Sequence, residues 1–175
     1  MILYMPLQKR HKYIFICLKG VFSIMGKRFA IMICALLLLM SCSKRHANLP
    51  SPPELYAVIS ESIELPEMVE FPQDELSEYI GIEPDEYLSA VSFSCLDALR
   101  PDEIIIVQAI NENAAAEVYK KLKARLEYKR KSAINYLPEN IPIIDKAVIR
   151  QDGLTVSMLV SDNIDDIIKI YNSQR

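Results

Sequence analysis

Residues 103–110 read Glu-Ile-Ile-Ile-Val-Gln-Ala-Ile, and the fold is decided there. A run so rich in β-branched residues predicts a strand covered on both faces. Just before it, Leu99-Arg100-Pro101-Asp102 supplies a turn. Residues 87–96 alternate, with Val91, Phe93 and Cys95 on one face and Ser92 and Ser94 on the other, the pattern of a half-buried strand. The two strands make a hairpin. Downstream, Asn111 or Asn113 can cap a long helix over 114–136, whose buried stripe is Ala115, Val118, Tyr119, Leu122 and Leu126. Pro138 ends that helix.

The same ββα pattern then repeats. Residues 143–151 and 154–160 flank Asp152-Gly153, a hairpin signal because glycine accepts positive φ. A closing helix starts at Ser161-Asp162, with Asp165 in capping-box position, and buries Ile164, Ile167, Ile168 and Tyr171. Upstream, residues 54–65 place Leu55, Val58, Ile59 and Ile63 at helical spacing. Residues 74–80 form a shorter helix with Leu76, Tyr79 and Ile80 on one side, stopped by Gly81. The expectation is an α+β fold of order α-α-β-β-α-β-β-α, with a four-stranded, mainly antiparallel sheet and helices packed against it.

Ahead of this domain the chain changes character. From Gly26 come Lys27-Arg28, an uncharged apolar run over 29–40, and Ser41-Cys42. That is the layout of a secretory signal, and twelve apolar residues fall short of the ~20 that span a bilayer. Leu39-Met40-Ser41-Cys42 resembles the lipobox of bacterial lipoproteins, which implies cleavage before Cys42 and a diacylglycerol on its thiol. The other reading is a helical anchor with an incidental cysteine. Residues 1–24 add a second basic cluster and a second apolar patch, which no ordinary signal needs. Lys19-Gly20-Val21 back-translates to a purine-rich ribosome-binding sequence three codons ahead of Met25, so initiation at Met25 is expected; a gene sequence without those purines would refute it. The organisation is then 1–24 translated leader or signal extension, 25–41 signal peptide, 42–53 lipidated cysteine and tether, and 54–175 a single α+β domain. The tether, SKRHANLPSPP over 43–53, has three prolines and little apolar surface.

The 51% hydrophobic content is therefore misleading, because much of the excess precedes Cys42. So does much of the positive charge. Of 20 Lys and Arg, six precede Cys42, and none of the 23 Asp and Glu does, which leaves 14 bases against 23 acids, a formal −9 instead of −3. An acidic product argues against sequence-independent nucleic-acid binding. Beyond Cys42 only Cys95 remains, so the fold stands without an internal disulfide. Cys95, beside Val91 and Phe93, reads as a buried structural thiol rather than a reactive one.

His11 lies in the leader and His46 in the tether, so the domain has no histidine for a hydrolytic triad, a Cys-His protease or a histidine-ligated zinc site. Past Cys42 only Gly81 and Gly153 occur, which excludes a glycine-rich phosphate loop. No cofactor or metal is expected, and no calcium loop appears. Residues 54–99 carry twelve acids and no base, read as a solvated face. The long helix carries Lys120, Lys121, Lys123, Arg125, Lys129, Arg130 and Lys131, either a solvated stripe or a contact for anionic lipid headgroups or wall polymers. The neighbouring acids Asp85 and Glu86 are the candidates for a carboxylate-only hydrolase, but aromatic residues free of the core stripes are few, leaving little to stack sugars on.

From Leu55 to Tyr171 the chain resembles small lipoproteins of low-GC Gram-positive bacteria that share a domain of unknown function, the DUF4358 type. The features that carry the resemblance are Met68-Val69 after an acidic approach, Tyr79-Ile80-Gly81-Ile82, Pro101-Asp102-Glu103-Ile104, the Ala-rich to Lys-rich long helix, and Ser161-Asp162. It implies fold and location and carries no activity. The expected function is a non-catalytic binding or accessory module on the extracytoplasmic face of the membrane, held by lipid on Cys42, with an envelope protein or an anionic wall polymer as partner and no nucleic acid.

Overall fold

The computed structural model describes residues 49–175; the leader, the signal and Leu39, Met40, Ser41 and Cys42 lie outside the described residues. The elements run α1 (Pro52–Ser62), β1 (Met68–Glu70), α2 (Leu76–Ile80), β2 (Tyr87–Cys95), β3 (Glu103–Ala109), α3 (Glu112–Tyr136), α4 (Ile141–Asp145), β4 (Val148–Asp152), β5 (Thr155–Val160) and α5 (Ile164–Ser173). Single 3-10 turns at Gln73–Glu75 and Pro138–Asn140 lead into α2 and α4. The class is α+β as expected. The sheet has five strands rather than four, in the order β1-β2-β3-β5-β4, with every neighbour antiparallel. The added strand, β1, pairs Met68 with Cys95 and Glu70 with Phe93. Three residues between Pro66 and Pro72 are too few to show an alternating period.

Helices cover both faces of the sheet. On one side α3 lays Ala115, Val118 and Leu122 over Ile105, Val107, Val156 and Met158. On the other, Leu55 and Ile59 of α1 and Ile167 and Tyr171 of α5 cover Ile104, Ile106 and Leu159. Strand β3 is thus buried on both faces. Strand β2, expected to be half open, is covered on its serine side as well: Ser92 is fully buried, and its Oγ has no hydrogen-bond partner among the described residues. Its backbone carbonyl accepts from Phe71 N–H at 2.7 Å, which carries the β1–β2 ladder one residue further toward α2. Cys95, at the rim, is half-buried and free.

Local chemistry sets the element ends. Helix α1 begins at Pro52, two residues earlier than expected, because proline is preorganised for a first helical turn. The Glu54 carboxylate accepts from Ser51 Oγ at 2.8 Å and Ser51 N–H at 3.0 Å, and these bonds lower its pKa. Asn111 caps α3, its Oδ1 accepting from Ala114 N–H at 2.9 Å, and the helix ends before Pro138 as expected. Residues expected to start β4 instead form α4, with Pro142 in its first turn and Ile144 buried against α3. Ser161 does not cap α5. Its hydroxyl donates to Asp102 Oδ1 at 2.9 Å and accepts from Asn163 N–H, and α5 starts at Ile164.

The second hairpin turns on Gly153-Leu154, one residue later than expected, since Asp152 pairs with Thr155. Gly153 has φ +63° and no non-glycine residue among the described residues has positive φ, which fits a type II′ turn with glycine first. Gly153→Ala is therefore expected to cost about 1 kcal/mol in denaturant unfolding. Asp152 faces inward, where it accepts from Arg150 Nε at 3.0 Å and Arg175 at 2.8 Å.

Tyr171, fully buried, receives the Ser157 hydroxyl hydrogen bond at 3.2 Å. Burial, with the Asp152 charge adding to it, pushes its pKa from 10.0 up to about 12. A pKa raised by folding gives stability that is complete below the unfolded value near 10 and lost as pH rises through 12. In ultraviolet titration the phenolate that appears near pH 12 should be missing in Tyr171→Phe, and the variant's stability should fall less between those pH values.

Candidate functional site

The seven bases of α3 do not form one open stripe. Lys121, Arg125 and Lys129 recur every fourth residue and so share one side of the helix. That side meets acids from the sheet and its connections. Lys121 Nζ lies 2.7 Å from Glu86 Oε1. Arg125 Nε is 3.1 Å and Lys129 Nζ is 2.9 Å from the Glu103 carboxylate, whose side chain is 0% exposed. The others stand farther out: Lys120 pairs with Glu117, Arg130 with Asp145 at 2.6 Å, and Lys131 with Glu127 at 3.9 Å. Lys123 alone of the seven has no ion pair among the described residues.

Above Glu103 these side chains build a groove. Tyr79 from α2 stacks on Phe71, with ring centroids 4.2 Å apart. The Arg125 guanidinium lies over the other ring's partner, 4.2 Å from the Tyr79 centroid and 5.9 Å from that of Tyr128. Arg125 donates to the Tyr79 hydroxyl and to Glu103, while Lys129 also donates to the Pro101 carbonyl at 3.0 Å. Burial and the Glu103 charge raise the Tyr79 pKa, so the phenol stays protonated. The groove holds about 880 Å³ and is lined by Phe71, Tyr79, Arg125 and Tyr128 together with the exposed Glu75 and Glu78. That volume lies in the range of small-ligand sites.

A smaller pocket of about 170 Å³ adjoins it along α3, with Arg125 and Tyr128 as the shared wall. Arg100, Lys129, Ser132 and Tyr136 complete it. Arg100 is held by Asp102 at 3.1 Å. The motif Pro101-Asp102-Glu103 thus has a structural explanation: successive acids point to opposite faces of the sheet, and each binds bases there.

The expectation of few free aromatic residues is corrected by this geometry. The spacing puts Tyr79 on the inner side of a short helix, and Tyr128 falls off the core stripe of α3; no sequence period shows that they line one groove. Asp85 and Glu86 lie outside the groove, beside a shallow hollow at the start of α3. Glu86 is engaged with Lys121 and accepts from Glu83 N–H at 2.7 Å. Among the described residues no group of three His, Cys, Asp or Glu is placed to hold a metal, and no helix is long and apolar enough to cross a membrane.

Fold and groove together define a small three-layer α+β domain with an aromatic and cationic groove on one helical face. The chain belongs to the family described as domain of unknown function (DUF4358), which matches residues 61–161. The match is shorter than the span of the resemblance at both ends, leaving out most of α1 and all of α5. No curated protein and no solved structure matches the chain.

Proposed function

We propose that the protein is a lipid-anchored module on the extracytoplasmic face of the membrane that binds an envelope ligand in the Phe71–Tyr79–Arg125–Tyr128 groove without transforming it. The observation that carries this reading is the groove itself, where three aromatic rings and a guanidinium converge beside a rim of open acids. Its placement supports the reading too. Leu49, the first described residue, packs with the α1 and α5 core, on the sheet face opposite α3.

Tyr128, 65% exposed, contributes its ring to the groove and little to the core. Tyr128→Ala should leave the melting temperature within about 2 °C of the parent, since surface changes stay within roughly 0.5 kcal/mol. It should lower retention of the full chain on isolated cell-envelope material by about tenfold, the loss of one stacking contact of roughly 1–2 kcal/mol. Equal retention of both proteins would remove the groove from the account.

A further inference from the structure

We infer that the smaller pocket is an oxyanion subsite, so that the ligand of the groove ends in a phosphate or carboxylate lodged between Arg100, Arg125 and Lys129. The inference rests on the groove being a ligand site and adds the chemistry of one end of that ligand. Three cations line the pocket and no carboxylate does. Their counter-ions, Asp102 and Glu103, are 1% and 0% exposed; Glu103 pairs with Arg125 and Lys129, and Asp102, pointing to the other face of the sheet, pairs with Arg100. Two acids are thus shared among three bases, and no carboxylate lines the pocket to offset the remaining positive charge. Arg125 and Lys129 are 16% and 18% exposed, so their field is screened less than that of surface lysines.

The donors are also unspent. Arg100 uses Nε on Asp102, and its two terminal amino groups have no hydrogen-bond partner among the described residues. Arg125 uses Nε and Nη2, leaving Nη1 likewise unbonded. A pair of guanidinium groups with free ends is suited to bidentate recognition of an oxyanion. The Ser132 hydroxyl lines the same pocket. At about 170 Å³ the pocket is below the range of whole-ligand sites and takes one end group, while the rest of the ligand passes Tyr128 into the larger groove.

The test is a titration of the isotope-labelled full chain in detergent micelles with sodium phosphate and, separately, sodium acetate. Ionic strength is held constant with chloride, and binding is read from backbone and Arg side-chain NMR signals. Saturable shifts centred on Arg100, Arg125, Lys129 and Ser132 are expected. Saturation by phosphate alone assigns a phosphate end group, by acetate alone a carboxylate, and by both the shared oxyanion chemistry. Ser132→Glu should weaken binding by at least about tenfold, because a like charge is placed in the pocket. If that variant does not fold, Arg100→Gln at a half-exposed position gives the same readout. Shifts that never saturate, or that follow Lys120, Lys123 and Lys131 instead, overturn the inference. Loss of envelope retention in Tyr128→Ala with no saturation here would remove the subsite and leave the groove standing.

Discussion

Replacing Glu103 by Ala is expected to destabilise the domain by about 3 kcal/mol and to lower its melting temperature by roughly 10 °C. The side chain is wholly buried at the start of β3 and is the common partner of Arg125 and Lys129, which are themselves mostly buried. Removing it strands two cations in a site of reduced dielectric, and the cost arises from that stranding rather than from any large net gain of the ion pair. Adding Arg125→Met and Lys129→Met to Glu103→Ala should therefore recover most of the loss. A double-mutant cycle should show coupling of more than about 1 kcal/mol between Glu103 and either base. A melting temperature for Glu103→Ala within a degree or two of the parent would show that the cluster is solvated and the groove floor loose.

Replacing Cys42 by Ala is expected to abolish lipid labelling and to move the protein from the membrane fraction to the aqueous one. Each buried CH₂ contributes about 0.8 kcal/mol, a single acyl chain gives only reversible binding, and two chains anchor firmly. The lipobox resemblance at Leu39-Met40-Ser41-Cys42 implies a diacylglycerol, which supplies two. Among the described residues no helix is long and apolar enough to cross a membrane. Fatty-acid labelling and fractionation that are unchanged in Cys42→Ala would refute the anchor.

Much of the fold was legible because it rests on local rules. The run at 103–110 announced a doubly covered strand, the two cap candidates Asn111 and Asn113 bracketed the start of α3, which Asn111 caps, and Pro138 announced its end. The departures share a cause, in that tertiary pairing overrode a local signal. Strand β1 exists because β2 offers it an edge, and Ser161 turns inward because Asp102, 59 residues earlier, needs a donor. The groove was the least legible part. Arg125 and Lys129 read as members of a surface charge run, yet the acid that turns them inward lies on β3, at a distance along the chain that no helical period contains. Tyr79 and Phe71 meet Arg125 only after α2 folds over the serine side of β2. A sign was present in the sequence nonetheless: Asp102 and Glu103 directly precede an apolar strand, and acids entering a covered sheet require basic partners.

The central claim is that the α3 groove is the surface the protein presents to its envelope ligand. A photo-crosslinking amino acid placed at Tyr128 in living cells tests it most directly, with the same group at Lys169 on α5 as the control for the opposite face. The account predicts a discrete adduct from position 128 that disappears when excess unlabelled protein competes, and none from position 169. Equal adducts from both positions, or none from position 128, would contradict it.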